Sequence, residues 1–336
     1  MGDISNRKED HINLALQNEH QCQDSNGFDQ FQFEPNPIPE LALDEIDCSS
    51  QFLNQRVSMP LIIGAMTGGC EKGHIINQHL CEAAQECQIP MALGSQRAAL
   101  ELNLEQQVRQ WIPTGIVLAN LGGTQIKQQG IDLALRAVES VEANALVIHL
   151  NPLQELVQPG GDRDWNGVLD AIQLCADRLP VDVIVKEVGC GIGASAVTKL
   201  KQAGVHSIEL AGRGGTNWAS IEIARNSCEK QQQIAQPFVE WGLNTAQALK
   251  MARHSCSDIN LIASGGIRHG LDIARCIRLG ANMTAIAQPF LKPATLSTEL
   301  VIEKIYIFQQ QLRWSMFLTG SQNLQDLQNA KLLSDA

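Results

Sequence analysis

The chain has 336 residues, of which 44% are hydrophobic and 18% are charged, and its formal net charge is −11. This length can bury a large core, as one big α/β domain or as two smaller ones. The composition argues against disorder, and the negative charge disfavours non-specific binding to nucleic acid. An anionic substrate remains compatible, because a local basic cluster can outweigh the net charge.

The cysteine pattern, the polar first residues and the lack of a long apolar run indicate a cytoplasmic protein. The ten cysteines show no CxxC pair and no metal-ligand spacing, so we interpret them as reduced thiols. The first ten residues are too polar for a signal peptide. No apolar run approaches the ~20 residues that span a bilayer, so no membrane partner is expected.

The first section of the chain, residues 1–58, shows no clear core of its own. Arg7, Lys8 and His11 lie in a charged stretch that leads into apolar residues at near-helical spacing. By composition alone this stretch is typical of a solvated helix start. We interpret residues 1–58 as an N-terminal extension that packs over the mouth of the domain that follows.

Residues 59–336 alternate between apolar strand patterns and helical patterns. The predicted strands are Leu61–Met66, Met91–Gly94, Ile116–Asn120, Ala145–Leu150, Val183–Val188, Ser207–Ala211, Leu261–Ser264 and Thr284–Ala287. The predicted helices include Gly73–Gln88, Gln129–Val141, Trp165–Leu179, Ser195–Ala203, Thr245–Arg253 and Gly270–Leu279. The pattern predicts an α/β fold, a (β/α)8 TIM barrel followed by a C-terminal helix, which typically takes ~250 residues. A doubly wound open sheet is the alternative, and the barrel is favoured because chemically capable residues follow strand after strand.

The fourth predicted strand carries the densest chemistry. Its apolar run ends before Pro152, which cannot donate a hydrogen bond to a sheet. Parallel α/β enzymes present their sites at such carboxyl ends. Four side chains that can do chemistry lie here: His149, Asn151, Gln154 and Glu155.

Glycine-rich turns follow the later strands. Gly265 and Gly266 let backbone N–H groups approach a ligand closely, and Arg268 could add a bidentate contact to a phosphate. The alternative is a tight turn with a surface arginine. Thr216 follows a second glycine pair, a weaker signal, and no Walker loop is present because no Gly-Lys-Ser/Thr follows.

Lys186 lies in the middle of an otherwise apolar strand. A buried lysine is costly unless it is paired, so the pattern favours a position facing an anionic ligand. An ion pair with Glu187 or Asp182 is the alternative.

Together these motifs resemble the type 2 isopentenyl diphosphate isomerases, flavoenzymes built on a (β/α)8 barrel, over nearly the whole chain. The matching motifs are Arg7-Lys8, Met66–Gly69, Gly94–Arg97, His149–Glu155, Lys186–Gly189, Gly214–Thr216 and Gly265–Arg268. The resemblance implies interconversion of isopentenyl and dimethylallyl diphosphate in isoprenoid biosynthesis. It also implies FMN, Mg²⁺, NADPH or another reductant for the flavin, and a homo-oligomer, either a tetramer or an octamer.

The resemblance also assigns expected roles to individual residues. Expected FMN contacts are Ala65, Met66, Thr67, Ser95, Asn120, Lys186, Thr216, Gly265, Gly266, Arg268, Ala287 and Gln288. Expected substrate contacts are Arg7, Lys8, Ser95, Arg97, Asn151 and Gln154. His149 and Gln154 should reach the isoprene end as catalytic residues, and Glu155, a loop carboxylate, should bind Mg²⁺ together with diphosphate oxygens.

The implied reaction moves a double bond without net redox change. A reduced flavin could stabilise a carbocation and exchange protons near N5. Glu155 is committed to the metal, and the amide of Gln154 barely titrates, so orientation is the expected role of Gln154.

Two other classes of function stay open at this point. An FMN oxidoreductase acting on a hydroxy acid would need a histidine base after strand 7, and neither His254 nor His269 is suitably placed. A non-catalytic flavin-binding protein would leave the polar groups after the fourth strand without a purpose.

Overall fold

The structure, a computed structural model, describes residues 10–22, 25–66 and 71–333. The strands are β1 (Ser50–Phe52), β2 (Gln55–Val57), β3 (Leu61–Ile63), β4 (Met91–Ala92), β5 (Val117–Gly122), β6 (Ala145–Leu150), β7 (Asp182–Glu187), β8 (Ser207–Glu209), β9 (Asn260–Ser264) and β10 (Met283–Ile286). Strands β3 to β10 close into a barrel in which consecutive strands pair in parallel and β10 pairs with β3. The predicted barrel is confirmed, and the open-sheet alternative is wrong.

Helices surround the barrel. They are α1 (Glu71–Cys87), α2 (Arg97–Glu101), α3 (Val108–Trp111), α4 (Gly123–Gln129), α5 (Ile131–Glu139), α6 (Pro152–Val157), α7 (Val168–Arg178), α8 (Ala194–Gln202), α9 (Trp218–Arg225), α10 (Glu229–Ala235), α11 (Thr245–Ser255), α12 (Gly270–Arg278), α13 (Gln288–Ala294), α14 (Thr298–Thr319) and α15 (Leu324–Gln328). The C-terminal helix α14 packs against α1 and α12. In the described part of the chain, no helix is long and apolar enough to span a bilayer, and none of the nine described cysteines forms a disulfide.

The helix predicted over Gln129–Val141 is confirmed as α5, and a second short helix, α4, precedes it. Residues 123–139 form two helices, α4 and α5, because Gly130 has a φ of +78° and interrupts the backbone between them. The short helices α6 and α9 were not predicted, since each has too few residues to show a helical period.

Strand alternation determines which side chains point into the barrel. On β6, Leu146 and Ile148 pack outward with the helices, whereas Ala145 and Val147 belong to the interior cluster. The β1–β2 hairpin adds Phe52 to that cluster, at the amino ends of the barrel strands. The hairpin therefore covers the end of the barrel opposite the carboxyl ends of the strands.

Candidate active site

A cavity of about 440 Å³ lies at the carboxyl ends of the barrel strands. It is lined by every predicted site residue that the structure describes: Ala65, Met66, Ser95, Arg97, Asn120, His149, Asn151, Gln154, Glu155, Lys186, Thr216, Gly265, Gly266, Arg268, Ala287 and Gln288. Arg7, Lys8 and Thr67 lie outside the described residues. The structure therefore brings these predicted residues together around one cavity, and their individual roles stay predictions.

Five polar residues from β5 to β9 form what we call the cavity floor: Asn120, His149, Lys186, Glu209 and Ser264. On four of the strands, the floor residue lies two positions after an inward-facing apolar residue. Glu209 on β8 instead pairs in register with Ile262, which faces inward on β9. On β5, β6, β7 and β9 the inward residues below this layer are apolar, and on β8 the inward residue is Ser207. The interior therefore changes from mostly apolar to polar toward the carboxyl ends of the strands.

The hydrogen bond between Asn120 and His149 determines which nitrogen of the His149 ring carries a proton. The Asn120 side chain donates through Nδ2 to the carbonyl oxygen of Leu93 at 2.8 Å, so its Oδ1 must be an acceptor. His149 Nδ1 lies 2.8 Å from that Oδ1 and therefore carries a proton. In the neutral ring of His149, Nε2 is consequently the nitrogen without a proton.

Lys186 has a partner that the sequence analysis missed. Its Nζ donates to the carbonyl oxygen of Glu187 at 2.6 Å and lies 3.6 Å from Glu209 Oε1. The alternative of an ion pair with a neighbour is therefore confirmed in kind, but the partner is Glu209 and not Glu187 or Asp182. The strand alternation that places Lys186 inward also places Glu209 inward, and this was the available signal.

The residues after β6 form a compact polar cluster on α6. Asn151 donates through Nδ2 to Gln154 Oε1 at 3.1 Å and to Glu155 Oε1 at 2.9 Å. Pro152 occupies the first turn of this helix, where its missing N–H costs nothing. The expectation that Glu155 is a loop carboxylate is therefore wrong, since it lies on a helix.

Glu155 is buried and both of its oxygens accept hydrogen bonds. Besides the bond from Asn151, its Oε2 accepts from the backbone N–H of Asp162 at 2.8 Å. Among the described residues there is no group of three or more His, Cys, Asp or Glu side chains that could hold a metal ion. A cation at Glu155 would thus need oxygen ligands from elsewhere.

Two glycine loops approach each other closely and form what we call the glycine cradle, consisting of Gly215, Gly265 and Gly266. A Cβ atom on Gly215 would lie 2.7 Å from the amide nitrogen of Gly266, so any side chain there would block this N–H group. Within the described ranges that N–H donates to no acceptor. Arg268 lies beside the cradle and donates through Nη2 to the carbonyl oxygen of Gly214 at 2.9 Å.

The N-terminal segment, residues 10–22, covers part of the cavity. Its His11 donates through Nε2 to Glu222 Oε1 at 3.0 Å, and Gln154 Nε2 donates to the same oxygen at 3.0 Å. Glu222 is fully buried, and Arg225 Nη1 donates to its second oxygen at 2.8 Å. Burial raises the pKa of Glu222, but the hydrogen bonds from His11 and Gln154 and the charge of Arg225 outweigh burial, so its pKa lies below the usual value.

This network determines how Gln154 presents its amide. Because Nε2 donates to Glu222 and Oε1 accepts from Asn151, the amide is held at both ends. Sequence reasoning missed Glu222, since its partner His11 is 211 residues away and no local pattern joins them. Arg97 is also held, by Glu101 Oε1 at 2.8 Å, and both line the cavity.

The chain is similar over nearly its full length to curated isomerases. It is 47% identical to the isopentenyl-diphosphate delta-isomerase of Stutzerimonas stutzeri, with 98% of this chain and 97% of that protein covered. It is 46% identical to the protein of that name from Pseudescherichia vulneris, with 97% and 96% covered. For the protein of that name from a Nostoc species, the identity is 39%, with 96% and 94% covered.

The FMN-dependent dehydrogenase family matches residues 153–334. Among solved structures, lactate oxidase from Pediococcus acidilactici has a TM-score of 0.72 at 13% identity, covering 98% of this chain and 93% of that chain. An active mutant of (S)-mandelate dehydrogenase has a TM-score of 0.67 at 17% identity, covering 95% and 96%. At these identities the two structures support the fold alone.

Proposed function

The chain belongs to the isopentenyl-diphosphate delta-isomerase family, and we propose that it interconverts isopentenyl diphosphate and dimethylallyl diphosphate through a 1,3-proton shift with reduced FMN. The observation that carries this proposal is the composition of one cavity. It has the glycine cradle at one place and the Asn151, Gln154 and Glu155 cluster at another. One chain thus offers an anchor for a cofactor phosphate and a separate polar group for a diphosphate.

The residues fit FMN. The cavity volume falls within the ~300–1,000 Å³ that small-molecule sites typically have. The cradle offers an N–H group at Gly266 that a side chain at Gly215 would block, and Arg268 adds a charge suited to phosphate oxygens. In this proposal Thr216, Ala287 and Gln288 would complete the phosphate end, and Ala65, Met66 and Ser95 would contact the ring. Thr67, outside the described residues, is proposed for the same role as Met66.

The residues also fit Mg²⁺, provided that the substrate supplies ligands. Magnesium is usually bound through one or two carboxylates plus phosphate oxygens and water. Glu155 is one buried carboxylate whose orientation is fixed by Asn151 and by the Asp162 N–H. It would therefore hold the cation against the diphosphate rather than in a cage made of protein.

The reaction needs a proton donor and an acceptor at the isoprene end, and bound reduced flavin supplies both that chemistry and electrostatic stabilisation of positive charge. The protein's residues orient the substrate for it. Arg97, Asn151 and the cation at Glu155 bind the diphosphate, with Arg7 and Lys8 in the same role. His149 and Gln154 face the isoprene end, and the two hydrogen bonds on Gln154 prevent its amide from rotating.

The remaining parts of the proposal concern the cellular setting. We propose NADPH as the reductant that brings FMN to its active state, a cytoplasmic location, and a homo-oligomer of four or eight chains. The net charge of −11 supports the absence of a nucleic-acid partner.

Hydroxy-acid oxidation, the alternative, is less well supported. Its base would be a histidine after β9, yet His254 lies on α11 before that strand. His269 is the N-cap of α12, where its Nδ1 accepts a hydrogen bond from the Asp272 N–H. Among the described histidines, only His11 and His149 line the cavity.

The test is turnover by the FMN-loaded protein. We expect anaerobic, NADPH-reduced enzyme with Mg²⁺ to convert isopentenyl diphosphate into dimethylallyl diphosphate. NMR spectroscopy of the product measures this conversion. We expect no oxygen uptake with lactate or mandelate. Oxidation of a hydroxy acid without isomerisation would overturn the proposal, and so would a purified protein that cannot bind FMN.

A further inference from the structure

The cavity floor contains a buried carboxylate that the mechanism above does not use. Glu209 on β8 is only 5% exposed, and it is the register partner of Lys186 on β7. Ser264 on β9 lies on its other side. Three neighbouring strands thus place a cation, an anion and a hydroxyl group side by side at the bottom of the proposed flavin site.

The carboxylate of Glu209 is held in place. Ser264 Oγ donates to Glu209 Oε1 at 2.8 Å and itself accepts from the Ala211 N–H at 3.1 Å. Lys186 Nζ lies 3.6 Å from the same Oε1. A buried carboxylate is costly to desolvate, so one that is fixed by a serine and set against a lysine indicates a site where charge matters.

We propose that Glu209 is a positioning residue for the cofactor: it holds the Lys186 ammonium group and offsets its positive charge beneath the flavin. The proposal rests on the FMN site described under the proposed function. Lys186 alone would place a full positive charge at the floor of a poorly solvated cavity. With Glu209 beside it the floor is close to neutral, which keeps electron density and proton affinity on the reduced flavin.

The sign of the effect follows from Coulomb's law. A positive charge near the ring stabilises reduced, negatively charged flavin and raises the reduction potential, and a negative charge lowers it. Acid–base chemistry needs a flavin that accepts a proton and returns it, so a strongly positive floor would make it a poorer base. The sign of the shift is the same whichever edge of the flavin faces Lys186.

The test is the midpoint potential of bound FMN, measured by dye equilibration in four variants. Glu209→Gln removes the negative charge and retains the hydrogen bond from Ser264. We expect its potential to rise by about 30 mV or more, which is a tenfold change in a two-electron equilibrium constant. Lys186→Met should shift the potential downward, and the double variant should return toward wild type because both charges are gone. Glu209→Asp, which keeps the charge, should stay nearest to wild type.

These outcomes separate charge from structure. If Glu209→Asp raises the potential as much as Glu209→Gln does, or if Glu209→Gln leaves it unchanged, the proposal is overturned. Should Glu209→Gln not fold, Lys186→Met and the double variant decide, since the proposal requires the second charge removal to reverse the shift caused by the first. A wild-type protein without bound flavin would instead refute the proposed function.

Discussion

The cavity floor and the N-terminal segment contribute to one cavity in different ways. The floor residues are borne by barrel strands in continuous register, so their neighbours are set by the pairing of β5 to β9. The N-terminal segment buries Ile12 and Ala15 in the hydrophobic core, and it makes a few polar contacts with the loop after β8 and with α9. These include the isolated bridge between Gln21 and Thr216, the bond from the Asn217 N–H to the His20 carbonyl, and the His11–Glu222 pair.

This difference separates the expected effects of substitutions. A change in the floor or in the glycine cradle should act on the cofactor, because strand pairing keeps the surrounding geometry. A change in the N-terminal segment or on α6 should act on the substrate and leave the cofactor bound. The following predictions test that division, from the largest expected effect to the smallest.

Glu155→Gln removes the only negative charge proposed for the cation while keeping the size of the side chain. Loss of residues that merely support a metal ligand typically costs about 10–100-fold, so we expect kcat to fall by at least ~100-fold. FMN affinity should not change, as measured by flavin fluorescence. Asp164→Asn is the matched control, since it removes a carboxylate at an exposed position. Normal activity with an unchanged magnesium dependence in Glu155→Gln would eliminate this residue as the ligand.

Arg7→Ala/Lys8→Ala removes two charges that we propose to bind the diphosphate. We expect KM for isopentenyl diphosphate to rise by about 10–100-fold, in line with about 1.5–3 kcal/mol for a hydrogen bond to a charged group. We also expect kcat to fall, because we propose that these two residues help to exclude water from the bound substrate. FMN should remain bound. Lys230→Ala/Lys331→Ala removes the same charge from exposed positions as a control.

Mixed oligomers extend this test. If the N-terminal segment serves a neighbouring subunit, mixing the Arg7→Ala/Lys8→Ala chain with Glu155→Gln chains should restore some activity. Unchanged steady-state kinetics in the double variant alone would refute any role of these two residues in substrate binding.

Arg268→Ala tests whether a change at the glycine cradle acts on the cofactor and not on the substrate. We expect FMN binding to weaken by about 1–3 kcal/mol, the range for a charge-assisted contact, in a titration of apoprotein with FMN. KM for the substrate should stay nearly constant once the protein is saturated with FMN. Arg163→Ala, at an exposed position, is the control. An FMN affinity equal to wild type would place the phosphate elsewhere.

Glu222→Gln should have the smallest effect and acts through the N-terminal segment. We expect the free energy of unfolding at pH 7 to fall by about 1–2 kcal/mol, because a buried hydrogen-bonded charge is lost beside Arg225. Since the folded-state pKa of Glu222 is lowered, its stabilisation is present above the unfolded-state pKa of about 4.3 and is lost as pH falls through the folded-state value.

The difference between Glu222→Gln and wild type should therefore shrink below about pH 4 in denaturant titrations at several pH values. Glu229→Gln, at an exposed position, controls for the charge change. If the difference in the free energy of unfolding between wild type and Glu222→Gln stays constant down to acidic pH, the carboxylate charge does not stabilise this contact.

The strand positions show how much of the fold the sequence could predict. All eight predicted barrel strands overlap the observed ones, and Ala145–Leu150 matches β6 at both ends. Short apolar runs interrupted by glycine and proline carry this information locally. The helices α4, α6 and α9 were not recognised because helices of six to eight residues span only about two turns.

The sequence alone determined the barrel and the end of it at which the cavity lies, because strand alternation and turn residues act over a few neighbouring positions. It also placed Lys186 inward, for the same reason. Only the tertiary structure decided which polar groups meet: Lys186 with Glu209, and Gln154 with Glu222 and His11. Contacts across strands and over 211 residues depend on how the barrel closes, and no local period in the chain encodes that closure.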